Sequence, residues 1–63
     1  MKKKVISLAG VCVQDPTGRE FIITAENQGP YGGLFELSLK NSDYTILESA
    51  YELVHYYKKV AVL

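Results

Sequence analysis

The chain carries a single cysteine, Cys12, a single histidine, His55, and a single arginine, Arg19. One cysteine excludes a disulfide within the chain. A structural zinc site needs about four ligands, and Cys12 and His55 are the only sulfur and imidazole donors. No run approaches the ~20 apolar residues of a membrane-spanning helix. Net charge is also lacking: seven basic side chains balance seven acidic ones, so no long-range repulsion keeps copies of the chain apart.

These absences matter because the chain has only 63 residues. One domain, residues 1–63, is all that fits, and a domain of this size buries only about 60% of the surface its unfolded chain exposes. Small chains usually supplement their core with disulfides, a metal or a partner subunit. With the first two set aside, and with no cofactor motif in the sequence, self-association as a homodimer is the expected supplement.

The basic start Lys2, Lys3 and Lys4 followed by mostly apolar residues is also how a secretory signal opens. A lipoprotein-type site, however, would want a small residue directly before Cys12, where Val11 stands. Removing the segment would leave only about fifty residues from which to build a core. A first strand over residues 5–13 is therefore expected, with a reduced thiol and a cytoplasmic location. Both alternating faces of this strand are apolar, with Val5, Ala9, Val11 and Val13 on one and Ile6, Leu8 and Cys12 on the other. Such a strand calls for cover on both sides, or for a central place in the sheet.

Asp15-Pro16-Thr17-Gly18 is a turn with a mechanism: aspartate bonds the backbone ahead of it, proline fixes φ, and Gly18 accepts a positive φ. A second strand follows, with Phe21, Ile23 and Ala25 on one face, and the two strands form a hairpin. After a glycine-rich loop, Phe35, Leu37 and Leu39 alternate with Glu36, Ser38 and Lys40 as a third strand. From residue 41 the apolar period changes to about 3.6. Asn41, Ser42 or Asp43 can cap a helix there, with Ile46, Leu47, Ala50, Leu53, Val54 and Tyr57 as its apolar stripe. Residues 60–63 can be a last helical turn or a short fourth strand, and Val60 and Val62 favour the strand. The expected fold class is thus α+β: a three-stranded antiparallel sheet in the order β-β-β-α, with one amphipathic helix packed on one face and a C-terminal fourth strand as an option.

The loop Gln28-Gly29-Pro30-Tyr31-Gly32-Gly33 lacks the lysine and hydroxyl residue of a phosphate-binding loop, and a strand follows it where such a loop needs a helix. Its glycines serve a turn. Tyr31 is left over, and can either lie over the sheet as a lid or project toward a partner. On the helix, Tyr56 falls on the flank with Glu48, Glu52 and Lys59, close to His55. Tyr31, His55, Tyr56 and Lys59 are therefore the expected protein contacts.

Cys12 and His55 could in principle pair as the nucleophile and base of an enzyme, but nothing in their spacing brings them together. A nucleic-acid reading is the alternative, since three strands and a helix is also the plan of several DNA-reading modules. It would use Lys2, Lys3, Lys4, Arg19, Lys58 and Lys59 on phosphates, against a zero net charge. The residues thus point to a non-catalytic protein that binds protein and itself, through a strand edge or the tyrosine-bearing side of its helix.

Overall fold

The computed structural model describes residues 8–62. The expectations placed on residues 1–7, including Lys2, Lys3, Lys4, Val5 and Ile6, lie outside the described residues. Among the described residues, five strands and one short helix follow one another as β1 (Val11–Gln14), β2 (Glu20–Gln28), β3 (Leu34–Leu39), β4 (Thr45–Ser49), α1 (Ala50–Tyr56) and β5 (Lys58–Val62). The strands make one antiparallel sheet in the order β4-β3-β2-β1-β5.

This corrects the expected three-stranded sheet under one amphipathic helix. The segment expected to be helical from residue 41 is a hairpin turn, then strand β4, and only afterwards a helix of seven residues, none of them buried. The physical reason lies at two points. Asn41 takes a left-handed φ of 63°, so Asn41, Ser42 and Asp43 turn the chain, and the Ser42 Oγ accepts from the Tyr44 N–H at 3.1 Å. The helix is then started by Ser49, whose side chain accepts from the Glu52 N–H while the Glu52 carboxylate accepts from the Ser49 N–H. That reciprocal pair forms a capping box.

The tail is strand β5, which begins at Lys58 and pairs with β1. It lies beside the first strand and does not cover its outer face. Lys59 therefore belongs to the edge of the sheet, opposite Val13, and not to a helix flank. Because β4 and β5 lie at opposite edges, α1 carries the chain from one edge to the other. The register of β5 slips by one residue between Cys12 and Val13, leaving Val60 as the extra residue of a bulge.

The core sits on the face that α1 covers. Val13 stands opposite Phe21, Phe21 opposite Leu39, and Ile23 opposite Leu37, which is opposite Ile46. Phe21 and Leu37 have no exposed surface. From the helix segment, Leu53 and Tyr57 close over this row. The Tyr57 ring meets Phe21 edge-on at 6.1 Å between centroids, and its hydroxyl donates to Glu48 Oε2 at 2.7 Å. The sheet's other face is lined by Cys12, Ile22, Ser38 and Thr45 in one cross-strand row. Beside it, Lys40 Nζ lies 3.0 Å from Glu20 Oε1.

The first hairpin closes where the Asp-Pro-Thr-Gly signal places it. Asp15 is buried, and its Oδ1 accepts from the Thr17 N–H, the Thr17 hydroxyl and the Arg19 N–H, while Oδ2 accepts from Arg19 Nε. Burial by itself raises the Asp15 pKa. The hydrogen bonds from Thr17 and Arg19 outweigh it and hold the carboxyl below its ordinary 3.8. The Glu52 carboxyl is likewise held below its ordinary 4.5, first by the Ser49 hydroxyl.

A depressed carboxyl contributes stability that is present above its unfolded pKa and lost as pH falls through the folded value. Stability is thus expected to decline as pH drops below 4.5 and then 3.8. Asp15→Asn should be less stable than the wild type at pH 7 and show a shallower acid limb, the remainder belonging to Glu52. Urea midpoints measured across this range test it. A variant curve parallel to the wild-type curve would show that Asp15 contributes nothing through its charge.

Candidate contact surface

A turn, the helix and a strand meet at one end of the sheet. The β1–β2 turn, the last turn of α1 and the start of β5 come together there because Gln14 pairs with Lys58. An open depression of about 290 Å³ lies among Gln14, Asp15, Pro16, Gly18, His55, Tyr56 and Lys58. Such a volume lies just under the ~300–1,000 Å³ of small-molecule sites, and an open mouth suits a protruding side chain better than an enclosed ligand. Gln14 Nε2 donates to the Gly18 carbonyl at 3.2 Å, so the hairpin wall of this depression is tied to itself.

Next to it the exposed side of α1 carries an aromatic cluster. Tyr51 and His55, four residues apart, stack with ring centroids 4.1 Å apart and a tilt of 35°. Tyr56 meets Tyr51 edge-on at 6.3 Å. Tyr51 and Tyr56 are 60% and 55% exposed, so these rings hold one another in place while most of their area faces solvent.

The structure therefore brings together two of the expected contacts, His55 and Tyr56, and adds Tyr51, Pro16 and Lys58 to them. Tyr51 was legible in the sequence as the i−4 neighbour of His55. Pro16 was not, because nothing in the residue string shows that the first turn stands beside the end of the helix. Lys59 is exposed on β5 and does not line the depression. Tyr31 lies at the opposite end of the sheet, on the tip of the β2–β3 hairpin, and is 99% exposed. It is no lid on this chain's core.

The hairpin under Tyr31 is set by backbone geometry. Gly29 has a φ of +91°, and a Cβ there would fall 2.7 Å from Leu34 Cδ1, so no other residue fits without displacing Leu34. The residues of the nucleic-acid alternative are placed less favourably. Arg19 is bound to Asp15 at 3.0 Å, with its guanidinium carbon 5.5 Å from the centre of the Phe21 ring. Lys58 and Lys59 are exposed at the same end of the sheet.

Cys12 is buried on the sheet face opposite the core, with Sγ 3.9 Å from Glu20 Oε1. His55 lies on the helix side of the sheet, so the two do not form a nucleophile and base. No group of three or more histidine, cysteine, aspartate or glutamate side chains suited to a metal occurs among the described residues. None of the described helices is long and apolar enough to cross a membrane. No protein family, curated protein or solved structure matches the chain.

Proposed function

We propose that this protein acts by contact and not by covalent chemistry, associating with itself and offering the aromatic surface of α1 to a protein partner. The exposed Tyr51, His55 and Tyr56 cluster beside the depression carries this reading. Tyrosine presents a large, amphipathic contact area with only two side-chain torsions to freeze, which is why it concentrates in interfaces. Here a helix with no buried residue holds three pre-stacked rings toward solvent, an arrangement that adds little to the core and lowers the entropic cost of binding. Nucleic acid ranks second, because the chain carries no net positive charge and the Nε of its single arginine, Arg19, is already held by Asp15.

Co-purification from the protein's own cells, followed by titration of the recovered partner, tests the reading. The double variant Tyr51→Ala, Tyr56→Ala should keep its circular dichroism spectrum and bind at least tenfold more weakly, the loss of about 1.4 kcal/mol or more expected for two interface tyrosines. Equal affinity for the two forms would refute the assignment of this surface. Recovery of nucleic acid alone, bound in a steeply salt-dependent way, would reverse the order of the two readings.

A further inference from the structure

Among the described residues the sheet has two edges, β4 and β5, and they differ in their defences. Edge strands are usually guarded by lysine, proline, bulges or inward charges, since an unguarded row of N–H and C=O groups templates pairing with another chain. β5 carries Lys58 and Lys59 and the bulge at Val60. β4 has neither lysine nor proline, and it pairs with β3 in unbroken register from Leu34 opposite Ser49 to Ser38 opposite Thr45. Its one charge, Glu48, faces inward and accepts from the Tyr57 hydroxyl.

Which backbone groups of β4 point outward follows from the ladder. The Leu39 N–H donates to the Tyr44 carbonyl at 2.8 Å, and the Lys40 N–H donates to the Glu20 carbonyl at 2.9 Å. Alternation along an antiparallel strand then turns the N–H and C=O of Ile46 and Glu48 toward β3, and those of Thr45 and Leu47 outward. Ser49 is next in the outward series, but its N–H already donates to Glu52 Oε1 at 3.0 Å. The capping box of α1 therefore ends the open edge at Leu47.

We infer that self-association, the part of the proposed function on which this step rests, runs through β4 pairing antiparallel with β4 of a second copy, about a two-fold axis at Ile46. This register engages all four outward groups of each strand, with Thr45 facing Leu47 of the second copy in hydrogen-bonded pairs. It sets Ile46 against Ile46 at the axis and Tyr44 against Glu48 of the second copy on the inner face. A carboxylate has acceptor capacity beyond the one Tyr57 hydroxyl that Glu48 now holds. A two-fold at Leu47 would use only the outward groups of Leu47, and one at Glu48 would set two carboxylates face to face. The zero net charge of the chain adds no repulsion. The sheets join into one of ten strands, and so short an edge belongs with small, transient interfaces below about 1,200 Å².

Cross-linking reads the register directly. Ile46→Cys places the two thiols in a non-hydrogen-bonded pair, about 4.5 Å apart at Cα, within disulfide reach, and should give a covalent dimer under mild oxidation. Leu47→Cys stands diagonal to itself, about 7–8 Å away, and should stay monomeric, as should the wild type, whose Cys12 is buried. A mixture of Thr45→Cys and Leu47→Cys should cross-link. Leu47→Pro removes only an outward N–H, which an edge strand tolerates, and should abolish association measured by sedimentation while keeping the fold. If Leu47→Cys cross-links as fast as Ile46→Cys, or if Leu47→Pro associates like the wild type, the β4 register is wrong while self-association stands. A wild type that stays monomeric up to its solubility limit overturns both.

Discussion

Phe21→Ala should cost about 3–5 kcal/mol, the range for deleting a buried aromatic ring, and leave most molecules unfolded at 37 °C. Phe21 has no exposed surface and lies in the row that joins Val13 to Leu39 across three strands. Tyr57 meets it edge-on, and Arg19 lies over its face. Truncation therefore opens a cavity under the helix and removes the ring on which the Arg19 guanidinium lies, while the Asp15 hydrogen bonds of the first turn remain. Globular proteins hold about 5–15 kcal/mol in all, and a chain this short belongs at the low end. Little would remain.

Urea denaturation followed by circular dichroism measures the loss, with Leu47→Ala, on the half-exposed outer face, as a control expected to change stability by only about 0.5 kcal/mol. A cooperative Phe21→Ala transition with a midpoint close to that of the wild type would show that the core closes without this ring.

That the most consequential core residue is legible from the residue string has a simple cause. In residues 20–25 Phe21, Ile23 and Ala25 recur at every second position behind a turn whose chemistry is unambiguous; Ile22 interrupts the polar series between them, and the period of two places the core face correctly as far as Ile23. β3 is readable in the same way, from Leu37 and Leu39. Beyond Ile23 the pattern misleads, because β2 slips register against β3 between Ile23 and Ala25 and again between Ala25 and Gln28. A bulge breaks the period of two without leaving a mark in composition.

The segment from residue 41 onward fails differently. Ile46, Leu47, Ala50, Leu53, Val54 and Tyr57 satisfy a helical period, yet the first two belong to a strand and the rest to the helix and its C-cap. Asn, Ser and Asp serve equally as helix caps and as turn residues, so residues 41–43 could not decide. The deciding signal was Ser49 with Glu52 three positions on, a capping box just before the helix, preceded by the β-branched Thr45 and Ile46. The open edge of β4 was hidden by the same misreading, since a residue placed on a helix offers no backbone groups to another chain. The depression beside Tyr56 was hidden for another reason: it is assembled from residues 14–18 and 55–58, which only the β1–β5 pairing brings together.

Tyr57 should separate packing from polar pinning at one position. Tyr57→Ala removes the ring that closes on Phe21 and should cost about 3 kcal/mol, the low end for an aromatic truncation because Tyr57 is only partly buried. Tyr57→Phe keeps the ring and deletes the donor that Glu48 Oε2 holds at 2.7 Å. Glu48 would then face the core side of β4 without it, at a cost of about 1 kcal/mol, since water still reaches both groups.

The alkaline limb gives an independent reading of the same contact. Burial first, then the hydrogen bond and charge of Glu48, raise the Tyr57 pKa above its ordinary 10.0. For a group whose folded pKa is raised, the stabilisation is present below the unfolded value and is lost as pH climbs toward the folded one. Wild-type stability should therefore fall above pH 10.0, and Tyr57→Phe, with no proton to lose there, should fall less. Stability of Tyr57→Phe equal to wild type at pH 7, together with an unchanged alkaline limb, would mean that the hydroxyl does not hold Glu48. In that case Glu48 would be free to swing from the inner face toward the β4 edge, and the single charge near that edge would act as its guard.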